Sequence, residues 1–188
     1  SVLKACRIAG IGDAGLVAVP ERDDLGMDPA ALATCIAADN AAGLIPAGVV
    51  ICTGGTSVGA MDPVADVIAV AKTHDLWTHV DAAWAGSAMI CQEFRHLWDG
   101  VDGADSIVFN PHKWLGAQFD CAVQFLADPF PQVKTLAQQP EFLKTLGQTN
   151  ITDFNDWTVP LGRRFRALKL WFVLRAYGLQ GLRSRIRN

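Results

Sequence analysis

Short apolar runs alternate along this chain with longer stretches of helical periodicity. Leu16-Val17-Ala18-Val19 predicts a strand over 16–19 that stops at Pro20. Asp28 followed by Pro29 is a cap with proline in the first turn, and it predicts a helix over 30–42 ending at Gly43. A second strand is predicted over 49–53, followed by the loop Gly54-Gly55-Thr56-Ser57-Val58-Gly59. Asp62-Pro63 repeats the cap signature and opens a helix reaching about residue 74. Further strands are predicted over 76–80, running into Asp81, over 106–109 and over 122–126. Between 128 and 158 prolines and polar residues replace the periodicity, which predicts an exposed excursion. The last element is a helix over 163–177, closed by Gly178 as a left-handed cap.

Strands of four to six residues alternating with helices of ten or more predict an α/β fold. The expected arrangement is a mostly parallel sheet with helices on both faces. In such sheets the reactive groups gather beyond the carboxyl ends of the strands. Asp81, the Gly54–Gly59 loop and Lys113 each follow a predicted strand, so the pattern brings all three to one rim.

Composition narrows this picture. The 188 residues suffice for one domain with a core, or for one domain and part of another. Apolar residues make up 51% and the mean hydropathy is +0.22, yet no run approaches the roughly 20 apolar residues of a membrane-spanning helix. The excess implies doubly buried strands or a surface that meets another subunit. A net charge of -3, with both signs interspersed, argues against a nucleic-acid partner. The one basic cluster, Arg163, Arg164, Arg166 and Lys169, lies in an amphipathic helix and reads as a solvated or ion-paired face. Five scattered cysteines with no C-x-x-C pair read as free thiols in a reducing compartment, hence a cytoplasmic protein. No signal-peptide pattern opens the chain, which begins with Ser1. The four histidines lack zinc-site spacing, so no metal is expected.

Lys113 sits in Asn110-Pro111-His112-Lys113-Trp114, poor company for a solvated lysine. An ammonium in apolar, aromatic surroundings is disfavoured, and the neutral amine can then attack an aldehyde. Asp81 opens a run of small residues, Ala82, Ala83, Ala85 and Gly86, that lets a flat ring approach the backbone. A carboxylate there can hold a pyridine nitrogen protonated. Trp84, beside it, is a candidate wall of a substrate pocket.

Two long segments, HVDAAWAGSAMICQEFRHLWDGVDGADSIVFNPHKWLGAQFDC at 79–121 and PLGRRFRALKLWFVLRAYG at 160–178, give the chain its family resemblance. Together with the glycine-rich loop they resemble the group II pyridoxal-phosphate-dependent decarboxylases, and Ile90 to His96 follows the aromatic-L-amino-acid branch. The resemblance implies a fold-type-I, aminotransferase-like large domain that works as a homodimer with active sites at the subunit interface. By position, Lys113 matches the Schiff-base lysine, Asp81 the partner of the pyridine nitrogen and Asn110 a ligand on the phosphate side. Ser57 matches a threonine near the cofactor, His112 falls near the phosphate and Ala83 against one ring face. The implied cofactor is pyridoxal 5'-phosphate and the implied reaction is decarboxylation of an L-amino acid, aromatic by the branch matched, to its amine.

The match covers the central part of the family pattern. Residues 1–160 correspond to the middle of the cofactor-binding domain, and 161–188 to the helix that leads toward a C-terminal small domain. The family's ring-stacking histidine falls two positions before Ser1, so this stretch alone is expected to bind cofactor poorly and to be inactive. Phe142 stands where the family's mobile loop carries a proton-donating tyrosine. In plant relatives that exchange goes with oxidative deamination to an aldehyde, which is the alternative reading, beside a glutamate-type decarboxylase and a non-catalytic scaffold. Gly162 matches a glycine-or-serine position and leans the substrate toward larger aromatic side chains.

Overall fold

The computed structural model describes residues 1–137 and 152–188. Phe142 therefore lies outside the described residues. Four strands form one sheet in the order β1 (Gly48–Cys52), β2 (Trp77–Asp81), β3 (Ser106–Phe109) and β4 (Val123–Leu126). β1, β2 and β3 run parallel, and β4 returns antiparallel at the edge. The predicted strands over 49–53, 76–80, 106–109 and 122–126 are all present within a residue of their expected ends.

Helices α1 (Val2–Ile8), α2 (Pro29–Ala41), α3 (Val64–Lys72), α4 (Phe130–Leu136) and α5 (Arg166–Arg187) complete the described architecture, with short 3-10 turns over Ala85–Ile90, Gln92–Trp98, Val101–Gly103 and Phe154–Trp157. α2 starts where the cap predicts: the Asp28 carboxylate accepts from the backbone N–H groups of Ala30 and Ala31. Alternation in β1 and β2 sorts the two sheet faces. Val49, Ile51 and Val80 point to one face, where they form a core with Leu32 and Ile36 of α2 and Val64, Val67 and Ile68 of α3. α5 lies over the same face further along. Its Leu170 and Leu174 stand across a cleft of about 580 Å³ from Ile107, Phe109 and Phe125. The Ser87 hydroxyl in that cleft makes no hydrogen bond among the described residues.

Three expectations need correction. Residues 16–19 form no strand: Leu16 is 38% and Val17 47% exposed, and the nearest bridge joins Glu21 to Met27. An apolar run becomes a strand only beside a hydrogen-bonding edge, which this run does not meet. Asp62 does not cap α3, whose N-cap is Pro63. Its carboxylate turns back and accepts from Met27 N–H at 2.7 Å and Cys52 N–H at 2.6 Å, clamping an upstream loop to the end of β1.

Gly178 does not close the last helix. With φ 59 and ψ 178 it breaks the helical turn, but the chain resumes as helix to Arg187. Only glycine takes that conformation at little cost. The continuation is held by burial of Leu182 and Ile186 and by the Arg183 Nε–H, which donates to the Ile90 carbonyl at 2.7 Å. The Arg187 guanidinium, paired with Glu93, holds that carboxyl down to about 2.

Candidate functional site

The predicted rim exists. β2 and β3 stay paired beyond their ends: Ala82 N–H donates to Val108 O at 2.9 Å and Asn110 N–H to Ala83 O at 2.9 Å. These two bonds set the Asp81-Ala82-Ala83 turn alongside Asn110. Lys113 N–H then donates to Asn110 O at 2.9 Å, so the lysine leaves the same strand end within one tight turn. Asp81, Ala83, Asn110, His112 and Lys113 thus share the carboxyl rim of two adjacent parallel strands.

Asp81 is half-buried. One carboxylate oxygen accepts from Ala83 N–H at 3.0 Å, an Asx-type turn that fixes the side chain. The other oxygen makes no hydrogen bond among the described residues. Cys52, its register partner on β1, is half-buried beside it. Burial pushes the Cys52 thiol up, the carboxylates of Asp81 and Asp62 add to this, and the Lys113 ammonium opposes it. Cys52 therefore lies within electrostatic reach of both the amine and the acid.

Lys113 itself is exposed in this chain, which corrects the apolar enclosure expected of it. The neighbouring apolar groups turn elsewhere: Pro111 and Leu115 are buried, and Trp114 stacks on Trp84 with ring centroids 4.7 Å apart and planes 3° apart. His112 is tied to Cys121, with ring Nδ1 at 2.7 Å from the Cys121 carbonyl and 2.9 Å from its N–H. Its ring lies edge-on to Phe119. Ser57 is exposed in its loop and makes no side-chain hydrogen bond among the described residues.

The glycine of that loop which matters is Gly54. It has φ +84, and a Cβ there would lie 2.5 Å from Ala85 Cβ and 2.9 Å from Trp84 Cε3. The loop can cross close above Trp84 only because this position has no side chain. Sequence reasoning missed two residues that hold the rim from below. Thr53 N–H donates to Asp81 O at 3.0 Å, and the buried Trp98 indole N–H donates to the Thr53 hydroxyl at 3.1 Å. Their signal was faint, since only proximity to the glycine loop marks Thr53. Around Gly162 a Cβ would meet nothing within 4 Å among the described residues, so packing against them does not demand glycine there.

Against known proteins, the pyridoxal-dependent decarboxylase conserved domain matches residues 1–188. The chain belongs to this decarboxylase family. Tyrosine decarboxylase 2 of Narcissus pseudonarcissus is 44% identical over 189 residues, covering 98% of this chain and 38% of the relative. Among solved structures, Oryza sativa TDC with PLP and tryptamine superposes with a TM-score of 0.94 at 46% identity, covering 98% of this chain and 38% of that one. The Rhodiola rosea 4-hydroxyphenylacetaldehyde synthase follows with a TM-score of 0.89 at 38% identity, again over 98% and 38%. The chain therefore spans 38% of the length of these decarboxylase relatives.

The rim residues of this family member suit a pyridoxal group. An acid with one oxygen fixed and the other without a partner among the described residues, a small residue beside it and an accessible amine on the same rim match a flat, aldehyde-bearing heterocycle. No helix among the described residues is long and apolar enough to cross a membrane.

Proposed function

We propose that the protein is a pyridoxal-phosphate-dependent decarboxylase acting on an aromatic L-amino acid to give the amine. Lys113 binds the cofactor's aldehyde, Asp81 pairs with the protonated pyridine nitrogen and Ala83 lies against one ring face. Asn110 and His112 attend the phosphate side, and Ser57 lies near the cofactor. When bound, the pyridoxal group supplies an electron sink for the bond to CO₂. The protein's part is to orient the acid, which the Ala83 N–H bond at 3.0 Å does, and to present the amine. The observation that carries this reading is the shared rim created by the Ala82–Val108 and Asn110–Ala83 backbone bonds.

Residues 1–160 are then the central part of the cofactor-binding domain, and 161–188 lead toward a small domain. A homodimeric, cytoplasmic protein fits the same reading. Phe119, Phe165, Trp171 and Phe172 leave more than half of their surface exposed, an apolar excess suited to a subunit contact. The five cysteines are all free.

The test is titration of the full-length protein with pyridoxal 5'-phosphate, read as a visible absorption band. Wild type should develop the band and Lys113→Ala should not; a band that survives Lys113→Ala overturns the assignment. Incubation with tyrosine, tryptophan or 3,4-dihydroxyphenylalanine should then release CO₂ and amine in equal amounts. A second reading, oxidative deamination to an aldehyde, is favoured by Phe142 and by the likeness to the aldehyde synthase. Aldehyde, ammonia and hydrogen peroxide in place of amine would select it.

A further inference from the structure

A hydrogen-bond chain runs across the sheet face that carries Asp81. The Trp77 indole N–H donates to the Ser106 hydroxyl oxygen at 3.2 Å, and that oxygen lies 2.7 Å from His79 Nδ1. Ser106 is buried, 4% exposed, and its hydroxyl is bonded to these two protein groups. His79 pairs with Ser106 in register and precedes Asp81 by two residues on β2. Residues two apart on a strand share a face, about 6.6 Å from one another. His79 and Asp81 are therefore neighbours on the cofactor face.

Counting protons decides the form of the imidazole. The serine hydroxyl has one hydrogen, and the tryptophan N–H, which can only donate, already occupies a lone pair of its oxygen. If His79 Nδ1 carried a proton, both neighbours would donate to Ser106 and the serine hydrogen would be buried without an acceptor, an expensive arrangement. If Ser106 donates to an unprotonated Nδ1, every group is satisfied. The imidazole proton is then on Nε2, and an imidazolium is excluded by the same count.

We infer that Trp77 and Ser106 lock His79 into the neutral tautomer protonated at Nε2. Held this way, His79 is a positioning residue for Asp81, leaving the carboxylate's charge undivided for a protonated pyridine nitrogen. A cationic imidazolium one strand repeat away would compete for the same carboxylate. Burial independently pushes the His79 imidazole below its ordinary value, against the pull of the Asp81 carboxylate. The role toward Asp81 rests on the cofactor reading above, whereas the tautomer does not.

The two are tested separately. On the chain without cofactor, a long-range proton–nitrogen NMR spectrum of labelled histidine, with His79 assigned by its loss in His79→Gln, should show Nδ1 bare and Nε2 protonated at neutral pH. Ser106→Ala should turn this into a tautomer mixture, and Ser106→Thr, which keeps the hydroxyl, should restore it. A protonated Nδ1 in wild type, or an unchanged tautomer in Ser106→Ala, overturns the relay; the wild-type spectrum alone decides if the alanine variant fails to fold.

Titration of the full-length protein with pyridoxal 5'-phosphate then reads the positioning role. Ser106→Ala should bind about tenfold more weakly, and Ser106→Thr within about twofold of wild type. Equal affinity of wild type and Ser106→Ala overturns the role. No uptake by wild type would overturn the Asp81 assignment and this role together, while the tautomer, measured without cofactor, would stand or fall on the NMR spectrum.

Discussion

The two faces of one sheet behave as different materials. On the face toward α2 and α3, Ile51 and Val80 are 0% exposed and Val49 is 8% exposed. On the other face the same two strands present Cys52, His79 and Asp81, each only half-buried, with Trp77 at 41% exposure. One face buries aliphatic side chains against helices, and its contribution is stability. The other collects titratable groups at the strand ends, and on the proposed function its contribution is chemistry. Adjacent residues of a strand can serve opposite purposes because the side-chain period is two.

Substitutions should separate these roles. On the packed face, Ile51→Ala should cost about 3 kcal/mol, the loss of buried methyl groups plus the cavity left behind. Urea denaturation measures it, and a loss below about 1 kcal/mol would mean the core can close around the gap. At the junction of the two faces, Gly54→Ala should cost about 2 kcal/mol, because it adds a Cβ at positive φ against Trp84 and Ala85. Cofactor uptake should fall with it, since the loop would have to lift.

On the chemical face, Asp81→Asn should change stability by less than about 1 kcal/mol, as the amide oxygen can still accept from Ala83 N–H. Cofactor uptake should nevertheless be lost. Unfolding of Asp81→Asn at the scale of Ile51→Ala would erase the contrast between the faces.

The smallest effect belongs to the exposed Glu93–Arg187 pair. The folded-state value of Glu93 is lowered from 4.5 to about 2, so its contribution is present above 4.5 and is lost as pH falls toward 2. Arg187→Ala should remove that small acid-side slope, and 0.5 M salt should weaken it in wild type. A slope that survives Arg187→Ala would assign it to other carboxylates.

The sequence by itself determined the strands at the sheet centre, the Asp28 cap and the residues that meet at the rim. These follow from local rules: period-two alternation, capping chemistry and the placement of reactive groups after strands. It also carried the family, through segments long enough to be specific. The tertiary structure alone decided what lies across from each group. Asp62 reads locally as a cap, yet its acceptors serve Met27, 35 residues away, and Cys52. Gly178 reads as a stop, yet burial of Leu182 and Ile186 carries the helix past it. Lys113 reads as enclosed, yet Trp114 spends its face on Trp84 and leaves the amine exposed. Periodicity encodes which side of an element is apolar. Its covering partner is set by contacts between residues far apart in the chain, and those exist only once the chain has folded.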